Sequence, residues 1–132
     1  MKRILHLQTF QIGQPRKRGG GLRIGTTRRP PRGVPRSRWK RDGYFDLWFP
    51  LVAPSMELIR RTRKKDFDNP AVRRHFFAAY ARELKQPPAK HAVALLAALA
   101  RQTPLAVGWF CADERRCHRP VLRAAIERAA RA

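Results

Sequence analysis

The stretch "LAVGWF", Leu105 to Phe110, decides the fold. It carries no polar side chain, so both faces of a strand built from it must be covered. Such a strand is typical of a parallel sheet with helices on each side. Predicted helices flank it in the sequence: one runs from Ala89 to Arg101 and is stopped by Pro104, and the other follows Pro120.

Two strands and two helices are predicted before this region. The strands rest on short apolar runs closed by Gly, Pro and charged residues, and the helices on N-capping residues followed by helical periodicity. The predicted elements are a strand Ile4–Thr9, a strand Leu22–Arg28, a helix Met56–Lys64 capped by Ser55, and a helix that begins after Asn69. The basic stretch 29–43 contains too many prolines and charges for a regular element.

Two apolar groups are predicted to form the core. The helix after Asn69 has an apolar residue at every fourth position, which is the stripe of an amphipathic helix packed on a core. An aromatic and aliphatic cluster before the first helix is expected to be largely buried. The stripe consists of Val72, Phe76, Phe77, Tyr80 and Leu84, and the cluster of Tyr44, Phe45, Leu47, Trp48, Phe49, Leu51 and Val52.

The order of the predicted elements indicates an α/β fold. A strand that is followed by helices and then by another strand closes as a right-handed crossover, which makes the two strands parallel. A chain of 132 residues fits one domain. We therefore expect residues 1–132 to form a small single α/β domain, with a largely parallel sheet of about three strands covered by four helices. Residues 1–42 form strongly basic strands and a loop, and residues 43–132 the helical part, the last strand and the C-terminal helix.

The charge of the chain predicts an anionic partner. Thirty Lys and Arg residues against nine Asp and Glu residues give a formal net charge of +21. Much of the positive charge lies in residues 1–42, where Asp42 is the single acid. Nucleic acid is the first candidate, because each phosphate that an Arg or Lys neutralises releases a condensed counterion. The alternative is a solvated surface that is simply rich in arginine.

The same sequence predicts a soluble, cytoplasmic protein without a membrane partner. Its longest apolar runs fall short of the roughly 20 residues that a membrane-spanning helix needs. The start of the chain is interrupted by polar residues, and no small-residue cleavage site follows. Cys111 and Cys117 are therefore expected to be free thiols or metal ligands rather than a structural disulfide.

A ligand site is predicted where two strands end. In parallel sheets, ligands bind beyond the carboxyl ends of the strands. Both "TTRRPPRG", residues 26–33, and "CADERRCHRP", residues 111–120, leave such an end, so we expect them to face each other across one crevice. Arginines and the N–H groups of the helix that begins near Pro120 suit a phosphate there. The predicted anion-binding residues are Arg28, Arg29, Arg32, Arg115, Arg116 and Arg119.

The second segment also permits metal or thiolate chemistry. Cys111, Cys117 and His118 are ligands of the kind that zinc or iron prefers, with Glu114 or His6 as a fourth. Alternatively, Cys117 or Cys111 is a nucleophile with His118 as its base. The candidate catalytic residues are thus Cys111, Glu114, Cys117 and His118. Plain core packing is equally compatible with Cys111. Counted from Cys111, the Cys-five residues-Arg loop of thiol phosphatases needs an arginine at position 117, which is a cysteine.

Three segments together resemble a known family. They are "DLWFPLVAPSMELIRR", "DNPAVRRHFFAAYARELKQ" and "LAVGWFCADERRCHRPVLRAAI", and the likeness extends over most of the chain from about Leu22. They are similar to the YeaO-like bacterial domains of unknown function, DUF488. Cys111, Glu114 and the Cys117-His118-Arg119 run match the pattern that many members carry after the last strand. Where these chains tend to have Asp-Arg-Leu-Trp-Pro-Arg-Gly, "TTRRPPRG" keeps Arg32 and Gly33 but lacks the acid and the tryptophan.

The resemblance implies an α/β fold and a site near the last strand, without a settled activity. No helix-turn-helix and no aromatic-rich RNA motif is visible, so sequence-specific readout of nucleic acid is not expected. The predicted function is that of an uncharacterised DUF488 protein that binds an anionic ligand, such as nucleic acid or a nucleotide, in a basic crevice. The alternative is an enzyme that uses a metal or a thiolate on such a ligand.

Overall fold

A parallel four-stranded sheet organises the computed structural model, which describes residues 5–16, 18–62, 64–110 and 119–131. The strands are ordered β1-β4-β2-β3, and every neighbouring pair is parallel. This arrangement confirms the predicted α/β class and small domain. The strands are β1 (Leu7–Gln11), β2 (Leu22–Gly25), β3 (Leu47–Trp48) and β4 (Leu105–Trp109).

Strand β4 lies inside the sheet because its sequence leaves no face for water. All five of its residues are buried, and Leu105 and Val107 have no exposed surface. It pairs with β1 on one side and with β2 on the other. The ring of Phe10 packs so closely on Gly108 that a Cβ atom there would lie 2.6 Å from it. The prediction from "LAVGWF" of a strand covered on both faces is therefore confirmed.

Four α-helices complete the domain in the described part of the chain, as expected. They are α1 (Met56–Arg61), α2 (Pro70–Glu83), α3 (Ala89–Gln102) and α4 (Arg119–Arg131). The two predicted N-caps are present: the Ser55 hydroxyl accepts a hydrogen bond from the Leu58 N–H at 3.1 Å, and the Asn69 side chain accepts one from the Ala71 N–H at 2.9 Å. None of the helices in the described ranges is long and apolar enough to cross a lipid bilayer.

The core lies where the helices cover the sheet. The stripe on α2 is largely confirmed, since Phe76, Tyr80 and Leu84 are buried. The aromatic and aliphatic cluster is only partly buried: Phe45 and Val52 are inaccessible, whereas Leu47 and Leu51 are nearly half exposed. The expectation of a largely buried cluster was wrong for these two residues, because the segment forms an edge strand and a 3₁₀ turn.

Several boundaries differ from the predictions. Strand β3 was missed because it has two residues and lies within the segment assigned to the core. Strand β1 runs from Leu7 to Gln11 rather than from Ile4 to Thr9, since its ladder follows β4 as far as Trp109. Strand β2 ends at Gly25, and α1 ends at Arg61 instead of Lys64. The basic stretch expected to be irregular contains a 3₁₀ turn at Arg36–Arg38.

Candidate functional site

A crevice lies at the carboxyl edge of the sheet. Gly25 of β2 is paired with Gly108 of β4, so the chain leaves both strands at the same edge and side by side. The space there is a cavity of about 390 Å³. We call it the crevice, and it is lined by Thr27, Arg28, Arg29, Pro30, Pro31, Arg32, Met56, Ile59 and Phe110.

Hydrogen bonds hold the loop after β2 in place. The backbone N–H and the hydroxyl of Thr26 both donate to the Gly108 carbonyl, at 3.0 and 3.1 Å. The Thr27 hydroxyl donates to the Arg29 carbonyl at 2.7 Å, and the indole Nε1 of Trp48 donates to the Thr27 carbonyl at 2.9 Å. The basic loop therefore enters the crevice with a fixed backbone.

Arg28 connects the loop by hydrogen bonds to the residues that precede α1. Its Nε donates to the Pro54 carbonyl and its Nη2 to the Ala53 carbonyl, both at 2.9 Å. A guanidinium has five N–H donors, so three of them are left for a ligand. Arg28 thus lines the crevice as predicted, but part of its hydrogen-bonding capacity holds the fold together.

Arg29 and Arg32 differ from Arg28 in their surroundings. Both side chains are exposed and line the crevice. Within the described residues, neither forms an ion pair with a carboxylate. Two guanidiniums without a carboxylate partner at the edge of a cavity are suited to bind an anion, since each offers a planar, bidentate donor.

Another part of the crevice lining is apolar, and we call it the apolar wall. Met56 and Ile59 project from α1, and Phe110 follows β4. The start of α1 is anchored by Glu83 of α2, whose carboxylate accepts hydrogen bonds from the Ser55 hydroxyl and, at 2.9 Å, from the Ser55 N–H. The crevice therefore combines a basic loop with an apolar wall.

A second group of charges lies near the other end of β2. We call Arg16, Arg23 and Asp46 the charge cluster. The Arg16 guanidinium binds both oxygens of Asp46, with 3.0 Å between Nη1 and Oδ2, and the backbone N–H of Arg23 donates to Asp46 at 2.9 Å. The buried Arg23 guanidinium lies 4.1 Å from the centre of the Phe10 ring and donates to the Gly43 carbonyl at 3.2 Å.

These contacts shift two pKa values. Burial raises the pKa of Asp46, but the hydrogen bonds from Arg16 and Arg23 outweigh this effect and leave it below the ordinary value. Burial lowers the pKa of Arg23, the charge of Arg16 lowers it further, and Asp46 acts in the opposite direction. Arg23 still remains charged at neutral pH. The charge cluster is consequently satisfied within the fold.

The predicted cysteine cluster lies outside the described residues. This applies to Cys111, Glu114, Arg115, Arg116, Cys117 and His118, and the side chain of Arg119 is likewise not described. In the ranges that are described, no three His, Cys, Asp or Glu residues form a group that could hold a metal ion. His6 precedes β1, and its carbonyl accepts a hydrogen bond from the Leu105 N–H at 2.8 Å. It thus lies at the edge of the sheet opposite to Phe110.

Sequence reasoning located the basic loop but missed the apolar wall. Met56 and Ile59 are three positions apart on α1, which places them on one helix face. That spacing was a usable signal, but nothing local in the sequence shows that this face meets Phe110. Arg23 was missed because its sequence context does not distinguish it from the exposed arginines around it.

The fold and the crevice define a small α/β domain with a cleft, lined by three arginines and by apolar side chains, at the carboxyl edge of a parallel sheet. The chain belongs to the DUF488 family: the family model DUF488-N3a, described as the active DUF488-N3 subclade, matches residues 7–130. The resemblance seen in the sequence is thereby confirmed. No curated protein and no solved structure matches the chain. The family is one of unknown function, so membership assigns neither a ligand nor a reaction.

Proposed function

We propose that this protein binds an anionic ligand, a nucleotide or nucleic acid, in the crevice. The observation that carries the proposal is the pair Arg29 and Arg32, which line a cavity at the carboxyl ends of β2 and β4 without a carboxylate partner among the described residues. The net charge of +21 favours the approach of any polyanion. The cytoplasm, where both ligands are abundant, is the compartment that the proposal implies.

The fixed loop supports this role. Hydrogen bonds from Thr26 and Trp48 hold the backbone before a ligand arrives, so less conformational entropy is lost on binding. Arg29 and Arg32 then supply the charge, and Arg28 adds the N–H groups that its two carbonyl partners leave unused. The participation of Arg115, Arg116 and Arg119 stays a prediction from the sequence.

The salt dependence of binding tests the proposal. A fluorescent single-stranded oligonucleotide is titrated with the protein at several salt concentrations, and the double variant R29A/R32A is compared with the wild type. Each phosphate contact to a single strand contributes about 0.7 to the slope of log K against log salt. We expect the double variant to bind more weakly and to lose about 1.4 from that slope.

R74A is the matched control, because Arg74 is exposed on α2 and does not line the crevice. Because R29A/R32A removes two charges, its control is the double variant R74A/R128A. Arg128 is exposed on α4. This control should keep most of the affinity. Equal losses in both double variants, or binding that does not respond to salt, would show that the crevice is not the anion site.

An enzyme is the second candidate, and the description of the matching family model as the active subclade favours it. A zinc or iron ion held by Cys111, Cys117 and His118, or a thiolate at one of the cysteines with His118 as its base, would then act on the bound ligand. Elemental analysis of protein purified without chelator tests the metal. Stoichiometric zinc or iron that is lost in both C117S and H118A supports the enzyme. Metal-free protein with unreactive thiols contradicts it.

A further inference from the structure

The apolar wall of the crevice is exposed to solvent although its residues are large. Phe110 is 46% exposed and Ile59 is 38% exposed, and both line the same cavity beside the arginines. Among the described residues, the other large exposed apolar side chains are not part of it; they are Leu22, Leu47, Leu51 and Leu95. Apolar side chains grouped in a cavity with polar groups at its rim mark a binding site for a ligand that is itself partly apolar.

This wall gives no affinity for a bare phosphate or for the outside of a nucleic-acid backbone. Both are fully hydrated anions, and contact with Phe110 or Ile59 would remove water from them without compensation. A ligand that gains from the wall needs an apolar or aromatic face next to its negative charge. A base attached to its phosphate has both, because every nucleobase has a flat π-face that stacks on an aromatic ring.

We propose that the crevice binds one unstacked nucleobase together with its phosphate. The base packs on Phe110 and against Ile59, and the phosphate is held by Arg29 and Arg32. This inference rests on the proposed function, because it takes the same two arginines as the anion site. It adds that the base, and not the phosphate alone, is recognised.

The dimensions of the crevice agree with a single nucleotide. Its volume of about 390 Å³ lies at the lower end of the range of about 300–1,000 Å³ that is usual for small-ligand clefts. A base in a duplex is stacked and paired, and it reaches such a pocket only after it has been extruded. The geometry therefore favours a free nucleotide or a single strand over a duplex. These two sources present the same chemistry to the crevice.

The test compares ligands that share their phosphates and differ in their bases. A fluorescent thymine strand about ten nucleotides long, an abasic strand of equal length and a hairpin duplex are titrated by fluorescence anisotropy at one salt concentration. We expect the thymine strand to bind about tenfold more tightly than the abasic strand, since one stacked base contributes about that factor. The duplex should bind no better than the abasic strand.

Variants of Phe110 locate the effect. F110A should remove the difference between the thymine strand and the abasic strand, and F110Y should keep it because the ring is retained. L95A is the control, since Leu95 is the most exposed of the large apolar side chains described and lies on α3 away from the crevice. Thymidine monophosphate is added as a competitor: displacement of the strand means that one nucleotide suffices, and no displacement means that a strand is needed.

The outcomes separate this inference from the proposed function. Equal affinity for both strands, unchanged in F110A, overturns the inference. If binding is nevertheless salt-dependent and weakened by R29A/R32A, the proposed function stands. If neither strand binds, or if binding ignores salt and both arginines, the proposed function fails and the inference fails with it.

Discussion

The arginines near the two ends of β2 differ in how their charges are used. In the charge cluster, Arg23 is buried over Phe10 and Arg16 is bound to Asp46, so their charges are used inside the fold. In the crevice, Arg29 and Arg32 are exposed and, in the described part of the chain, face no carboxylate. The comparison teaches that net charge by itself does not locate a binding site. Charges without a carboxylate partner among the described residues are the better candidates for such a site.

The largest expected effect is a difference in stability between a variant of the charge cluster and a variant of the crevice. R23M should lower the free energy of unfolding by about 3 kcal/mol, because it removes a desolvated cation–π contact and a hydrogen bond from a charged donor. R29M removes the same charge from an exposed side chain and should change stability by no more than about 0.5 kcal/mol. Urea unfolding of both variants measures the difference. Similar midpoints would remove the distinction between structural and available arginines.

A smaller effect is expected at Asp46, and it depends on pH. The pKa of Asp46 is lower in the folded state than in the unfolded state. Its ionised form therefore stabilises the native protein at pH values above the unfolded-state pKa of about 3.9. This stabilisation is lost as the pH falls through the folded-state pKa. D46N should therefore be about 2 kcal/mol less stable than the wild type at pH 7.

On acidification the gap between D46N and the wild type should narrow, because the wild-type carboxyl becomes neutral as well. Urea unfolding at pH 7 and near pH 3 checks this. A gap of the same size at both pH values would mean that the charge of Asp46 is not what stabilises the cluster.

The smallest expected effect concerns the loop that carries the crevice arginines. W48F keeps an aromatic ring but removes the indole N–H that binds the Thr27 carbonyl, which should reduce stability by about 1 kcal/mol. W39F loses a comparable bond, from Nε1 to the Val34 carbonyl at 3.2 Å, outside the crevice. Only W48F should also weaken oligonucleotide binding, which anisotropy titration measures. A loss of affinity in W39F alone would contradict the importance of the fixed loop.

The fold could be predicted where the sequence pattern is local. The uninterrupted apolar run of β4, the stripe on α2 and the caps Ser55 and Asn69 each decide an element from neighbouring residues. Strand β3 could not be predicted, because its two residues are extended only through pairing with β2. A strand of this length has no periodicity of its own.

The position of Arg29 and Arg32 in the fold was predictable for the same reason. Arg29 and Arg32 directly follow a predicted strand, so topology alone places them at a carboxyl edge. The burial of Arg23 depends on Phe10 and Gly43, which are distant in the sequence, and the apolar wall depends on the approach of α1 to Phe110. Such long-range contacts depend on tertiary packing, and they cannot be predicted from composition or periodicity.

The position of β4 also determines when the domain can form. The last strand of the sequence lies between the first two, so that Leu7 and Leu22 both pair with Leu105 across most of the chain length. Contacts of such long sequence separation slow folding, because the entropy of closing the loop is lost before the strands are joined. During synthesis, β1 and β2 leave the ribosome long before their common partner does. Until then, both strands keep unpaired edges, and an unpaired strand edge is a template for pairing with another chain.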